Sequence, residues 1–218
     1  MKSLRYKLSA GFTAISFLMG AASLTLQGQS DMGRHATKPG YEIGEKADDF
    51  RLKSTENVYV SLSDYPDAEG YIVIFTCNHC PYAQRYEQRI IDLNAKYAPK
   101  GWPVIAINPN CPELVPEDSF EEMQKRARAR RYTFPYLIDH NQEVFPKYGA
   151  DRTPHAFLLD ADLIVRYHGA IDDNPENFKA VRVRYLEDAI HALMRDELPS
   201  IEITKSPGCL IRPCPIKE

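Results

Sequence analysis

The sequence predicts an α/β fold, a central mixed β-sheet flanked by helices with an N-terminal β extension. Three observations lead there. Tyr71–Phe75 (YIVIF) and Val104–Ile107 (VIAI) are unbroken apolar, β-branched runs, the pattern of strands covered on both faces. Between them Tyr82, Tyr86, Ile90, Leu93 and Tyr97 recur at steps of three and four, which gives one apolar face of a helix. Strand, helix and strand in this order make a right-handed βαβ unit with parallel strands. Further on, His155–Leu159 and Leu163–Tyr167 flank Asp160-Ala161-Asp162, a tight antiparallel hairpin. Parallel and antiparallel pairs in one chain imply a mixed sheet.

The remaining elements follow in order. Lys2, Arg5 and Lys7 precede an apolar or small stretch from Leu8 to Leu26, and Gly28 and Ser30 provide small residues after it. Residues 1–30 therefore read as a signal peptide. An uncleaved membrane anchor is the open alternative, since about 20 residues cross a bilayer as helix. No cysteine follows that stretch, which argues against lipid attachment. Either reading puts the folded part in an exported, periplasmic setting. Residues 31–40 are polar with Gly33, Pro39 and Gly40, a flexible entry segment. Asp49–Leu52 and Val58–Leu62 suggest two short strands around the Ser54-Thr55-Glu56-Asn57 turn. Pro81 suits the first turn of the helix, where its missing N–H is not needed, and Gly101 ends that helix. Residues 117–131 read as a helix with a basic outer face, and Phe134–Ile138 as a strand. A last helix is expected from Pro175 to Arg195, with Phe178, Val181, Tyr185, Leu186, Ala189, Ile190 and Leu193 on one side. The domain would thus span 41–196, and 197–218 form a proline- and cysteine-containing tail.

With 218 residues the chain is long enough for one domain and its extensions. Its formal net charge of -3 provides no overall basic field for nucleic acid. The five cysteines are Cys77, Cys80, Cys111, Cys209 and Cys214. An odd count leaves at least one thiol free or paired only in passing.

Cys77-Asn78-His79-Cys80-Pro81 stands between a buried strand and a helix N-terminus. Backbone N–H groups and the helix dipole favour a thiolate there, and the two-residue spacer lets the sulfurs close a small ring. Cys77 is the expected exposed nucleophile and Cys80 the buried resolving thiol. The spacer residues Asn78 and His79 tune the couple; a protonated imidazole at His79 favours the reduced form and a more oxidising potential. Such couples span about −270 to −120 mV, and this one is expected above the reducing end. A structural disulfide or half a zinc site is the plainer reading of an isolated CxxC.

A second signal, Thr153-Pro154 before HAFLLD, completes a resemblance. IGEKADDFRL, VSLSDY, IVIFTCNHCPYAQRYEQRI, IAINPN, PEDSFEEM, FPYLID and YGADRTPHAFLLD resemble the exported redoxin-domain proteins (AhpC/TSA-like, peroxiredoxin-like) of thioredoxin fold, over roughly residues 41–194. The resemblance implies thiol–disulfide oxidoreductase activity. It makes Pro154 a cis proline facing the disulfide, with the Thr153 backbone docking a partner strand. No cofactor beyond the Cys77–Cys80 disulfide is implied, and no resident metal. Partners would be cysteine-containing exported proteins or a membrane thiol donor.

Two positions depart from the pattern. Tyr71 replaces the buried Asp that thioredoxins use for proton transfer, leaving Glu113, Glu117 or a water as the base. Ile74 replaces the Thr that peroxiredoxins carry three residues before their reactive cysteine, which weakens the thiol peroxidase alternative. Copper-chaperone binding through Cys77, Cys80 and His155 is another alternative, since thiolates and imidazole suit Cu(I); the family's copper proteins use a three-residue spacer. Cys111, in Asn108-Pro109-Asn110-Cys111-Pro112, is a candidate accessory thiol. Cys209 and Cys214 are candidates for a small tail disulfide. Asp172-Asp173 reads as a loop and helix cap.

Overall fold

The computed structural model describes residues 40–215. The expected signal peptide and all but the last residue of the 31–40 segment lie outside the described residues. No described helix is long and apolar enough to cross a membrane.

The strands are β1 (Leu52–Ser54), β2 (Tyr59–Val60), β3 (Gly70–Phe75), β4 (Val104–Asn108), β5 (Tyr136–Ile138), β6 (Arg152–Thr153), β7 (His155–Asp160), β8 (Val165–Gly169) and β9 (Cys209–Leu210). The helices are α1 (Pro81–Tyr97), α2 (Phe120–Arg130), α3 (Val144–Tyr148) and α4 (Tyr185–Leu193). Seven strands form one mixed sheet in the order β2-β1-β5-β4-β3-β7-β8. β3, β4 and β5 run parallel, while β7 pairs antiparallel with β3 and with β8. This is the thioredoxin fold, with β1 and β2 as the N-terminal extension.

Alternation along the two central strands divides the core. Ile72, Ile74, Val104 and Ala106 face Tyr86, Ile90, Leu93 and Tyr97 of α1, together with Met123 of α2 and Leu186 and Ile190 of α4. Tyr71, Val73, Phe75, Ile105 and Ile107 face the opposite layer, with Leu62, Tyr148, Phe157 and Ile211. Each fully buried large apolar side chain contributes about 1.5–3 kcal/mol relative to exposure, so β3 is firmly held at both faces. Gly70 starts it because a Cβ there would meet the Trp102 ring at 2.2 Å. The end of β3 is therefore a rigid platform for the CxxC turn.

Several expected elements are shorter than their sequence pattern. Asp49, expected to open a strand, instead accepts hydrogen bonds from the backbone N–H of Leu62 (2.8 Å) and Ser63 (3.2 Å), and β1 begins at Leu52. Leu62, expected in the second strand, starts a 3-10 turn. The last helix does not run from 175 to 195. Asp173 accepts from the Arg182 N–H and Asn177 from the Lys179 N–H, and such local bonds compete with helix formation. Phe178, expected on the buried face, is 55% exposed. The basic face expected for α2 is partly engaged: Arg126 and Arg130 both pair with Glu87 of α1, at 2.7 and 2.5 Å. Asp172, expected as a helix cap, is buried and accepts from Arg89 (2.7 Å) and Tyr86 (3.0 Å).

The tail is the least regular part and crosses the domain. Ile203 bridges His168 at the β8 edge, β9 pairs with β6, and Arg212 exchanges backbone-directed hydrogen bonds with Asn110 and Cys111. Cys214 is bridged to Cys111.

Candidate active site

β3 delivers Thr76 and Cys77 at its C-terminal end, and Cys80 is the residue that caps α1, with Pro81 in the first turn. Cys77 is 5% exposed and Cys80 is fully buried; the first cysteine is thus also largely covered, not freely exposed. Both are unbridged thiols here. The Thr153–Pro154 peptide is cis. Thr153 Oγ1 lies 3.1 Å from Cys77 Sγ, and the Thr153 carbonyl accepts from Cys80 Sγ at 3.1 Å. Cys77, Cys80, Thr153 and Pro154, scattered across the sequence, are therefore one site.

The two thiols hydrogen-bond one another, so one proton leaves the pair easily and the second with difficulty. The bond from Cys77 first, then contacts with Cys209 and backbone N–H groups, hold Cys80 down at about 4 against the effect of burial. The same bond, burial and the Asp118 carboxylate push Cys77 well up. A proton shared across an S–H···S⁻ bond lets either sulfur carry the charge, and the one that acts is the one a partner can reach. Thr153 Oγ1 and His79 Nδ1, the latter 3.5 Å away, are positioned to stabilise the charge on Cys77.

Asp118, which the sequence pattern does not single out, organises the spacer. Its fully buried carboxylate accepts from the backbone N–H of Asn78 (2.7 Å) and His79 (3.1 Å) and from Asn110 Nδ2 (2.7 Å), and lies 2.6 Å from His79 Nδ1. Asn78 is buried too. It donates to the Glu117 carbonyl and accepts from the Tyr136 hydroxyl at 3.1 Å. The candidate bases need correction. Glu117 contributes only that carbonyl to the site, and Glu113 stands beside the Cys111–Cys214 bridge, 3.0 Å from Cys111 Sγ. The signal available in the sequence is the acidic pair in PEDSFEEM near the polar IAINPN turn, and the carboxylate that turns inward is Asp118 in place of its neighbour Glu117.

The other cysteines also require correction. Cys111 is not a free accessory thiol and Cys209 does not pair with Cys214, because Cys111 and Cys214 form a disulfide closing 103 residues. The bridge is possible because the tail returns past the Asn108–Cys111 loop, a long-range path that spacing does not reveal. Cys209 remains a thiol, with Sγ 2.8 Å from Cys80 Sγ.

His155 is not with the thiols. Its ring packs on Phe157 at 4.5 Å and near His168, facing Asp151 at 3.6 Å, so the Cys77, Cys80 and His155 copper set is not assembled. Cys77, His79 and Asp118 do bring ligand atoms within 4.8 Å of one another, but Asp118 is already used by three N–H donors besides the His79 ring, those of Asn78, His79 and Asn110.

The geometry suits attack by a thiolate held at a helix N-terminus, with a hydroxyl beside the sulfur, a histidine–carboxylate pair behind it and a second thiol in bonding reach. Similar proteins fit this picture. The chain is 28% identical over 123 residues to thiol-disulfide oxidoreductase ResA of Geobacillus thermodenitrificans, covering 56% of this chain and 66% of that protein, just under two thirds of its length. A crystal structure of an uncharacterized conserved protein from Geobacillus kaustophilus superposes with a TM-score of 0.74 and 36% identity, over 81% of this chain and 94% of that one. Peroxidoxin BcpB of Mycobacterium tuberculosis, with a TM-score of 0.50 and 20% identity over 58% of this chain and 84% of that one, shares the fold alone. The family model described as AhpC/TSA family matches residues 43–168, more than half of the chain, and takes in both the CxxC helix and the Thr153-Pro154 turn; the chain belongs to that family.

Proposed function

We propose that this protein is a thiol–disulfide oxidoreductase whose redox centre is the Cys77–Cys80 pair, with no further cofactor. The observation that carries the reading is the approach of Thr153 Oγ1 and its carbonyl to the two sulfurs, each at 3.1 Å. In the reducing direction the Cys77 thiolate attacks a partner disulfide. One partner sulfur leaves with the electron pair and takes up a proton, and Cys77 is joined to the other. Cys80 then attacks Cys77 Sγ, which frees the second partner thiol and leaves the Cys77–Cys80 disulfide. The oxidising direction reverses these steps. The Asp118 carboxylate, 2.6 Å from His79 Nδ1, holds that imidazole beside Cys77, where it stabilises the charge on the sulfur.

Disulfide exchange is favoured over peroxide reduction by the surroundings of Cys77. Ile74 is buried in the α1-facing core, so no hydroxyl comes from the position that peroxidases of this family use. The basic, then apolar, N-terminal residues support export, so the proposed partners are cysteine-containing exported proteins or a membrane thiol donor.

A Cys80→Ser variant tests the reading by trapping. Covalent partners, released by dithiothreitol and lost in a Cys77→Ser/Cys80→Ser double variant, are expected. A variant that captures no thiol-linked partner and a wild type that fails to reduce insulin disulfides would sink it. A Cys77-dependent burst of hydrogen peroxide consumption would move the assignment to peroxidase.

A further inference from the structure

The edge expected to receive a partner strand is already paired. β9 runs antiparallel to β6, Thr153 opposite Cys209 and Arg152 opposite Leu210. Gly208 permits this approach: its φ is +127°, and a Cβ there would stand 2.1 Å from the Thr153 carbonyl oxygen. Arg152 donates to the Gly208 carbonyl at 2.9 Å, and the Ile211 N–H donates to the Asp151 carbonyl at 2.9 Å. Ile211 is buried in the second core layer, and the Cys111–Cys214 bridge anchors the strand beyond it. The strand so held brings Cys209 Sγ to 2.8 Å from Cys80 Sγ, the sulfur that is fully buried and out of reach of an external partner.

Building on the proposed exchange role of Cys77 and Cys80, we propose that Cys209 is a third redox thiol and that β9 is an internal partner strand, forming a Cys80–Cys209 disulfide. The Cys209 thiolate attacks Cys80 Sγ of the Cys77–Cys80 disulfide. The Cys77–Cys80 bond breaks as the Cys80–Cys209 bond forms, and Cys77 leaves with the electron pair and takes up the proton that Cys209 lost. No electrons enter or leave, so no further oxidant is needed. The oxidising equivalent, first received from a partner protein disulfide, is moved to a buried bond, and Cys77 is returned as a thiol able to attack again.

The electrostatics favour this order. Burial first, then the hydrogen bond to Cys80 and its charge, hold Cys209 up at about 11, against the pull of Arg212 and Arg152. Once Cys80 is in a disulfide, its hydrogen bond and charge are gone, and Cys209 ionises more readily just when there is a bond to attack.

The test uses the full chain oxidised with one equivalent of diamide, blocked with N-ethylmaleimide and mapped after chymotrypsin, which cuts after Leu210 and separates Cys209 from Cys214. Wild type is expected to contain both the Cys77–Cys80 and the Cys80–Cys209 links. Cys77→Ser should contain Cys80–Cys209 at near-complete yield, and Cys77→Ser/Cys209→Ser should lose it entirely. The Cys111–Cys214 peptide in the same digest reports that the tail is seated. A wild type that forms Cys77–Cys80, with a Cys77→Ser variant in which Cys80 and Cys209 both stay open to N-ethylmaleimide, overturns the third thiol and leaves the exchange reading standing. A wild type that forms neither link overturns both.

Discussion

The CxxC turn and the β9 strap meet at the same two sulfurs, yet they are held in opposite ways. Cys77 to Pro81 is placed first by its own neighbours, the end of β3 and the first turn of α1, and Asp118 and Thr153 then brace it. β9 has no such local support. It is two residues long, and its defining contacts reach 129 residues back to Cys80 and, through Cys214, 103 residues back to Cys111. A turn supported by adjacent regular elements is specified by a short stretch of sequence. A strap held by distant partners exists only once those partners are assembled.

Substitutions can break the comparison on either side. The largest expected effect is on the turn: Cys77→Ser should lower insulin-reduction rate by about a thousandfold or more, since the proposed nucleophile is removed. On the strap side, Cys111→Ser should lower stability by up to about 4–5 kcal/mol in the chain-entropy account of a loop of about 100 residues, read as a drop in the denaturant midpoint. A loss well under 1 kcal/mol would show that the tail is already tied by its other contacts. Asp118→Ala should cost about 2–4 kcal/mol, because the buried N–H groups of Asn78 and His79 and the Asn110 amide lose their acceptor; the same variant should speed alkylation of Cys77, because a carboxylate that pushes its thiol up is gone. Gly208→Val should cost about 1–3 kcal/mol through the clash with the Thr153 carbonyl. It should also speed Cys209 alkylation, while the CxxC turn keeps its reactivity.

The smallest effect is a pH dependence that sharpens the electrostatics of the turn. Cys80 is held at about 4 in the reduced fold, below the ordinary thiol value of about 8.5. The folded state therefore binds fewer protons than the unfolded chain between these values. Its contribution to stability is fully present above the unfolded thiol value and is lost as pH falls through about 4. Ultraviolet thiolate absorbance of the reduced protein should show one thiolate titrating there, and Cys209→Ala should move that transition upward by removing one of its hydrogen bonds. Titration of both thiols near the ordinary value would contradict the shared-proton description.

Some of this is legible in the chain. YIVIF, VIAI and the three-and-four spacing of α1 are local patterns whose burial follows from side-chain periodicity, and they are enough to locate the CxxC turn. The IAINPN and PEDSFEEM segments are visible too, but nothing local distinguishes Glu117 from Asp118. Only the packing of the segment following β4 against the α1 N-terminus turns Asp118 inward. The last helix is overextended by its pattern for a related reason: apolar spacing continues through Phe178, while Asp173 and Asn177 take backbone N–H groups for their own turns.

The sequence by itself thus determined the sheet's central strands and the helix that carries the thiols, because each depends on neighbours a few positions away, whereas Thr153-Pro154 stood out only through the family resemblance. The pairing of Cys111 with Cys214, the placement of Cys209 on Cys80 and the occupation of the Thr153 edge were decided by tertiary structure alone. Closing loops of a hundred residues or more costs conformational entropy that only the assembled core offsets, so which cysteines meet depends on where the folded sheet leads the chain, not on how far apart they stand in it.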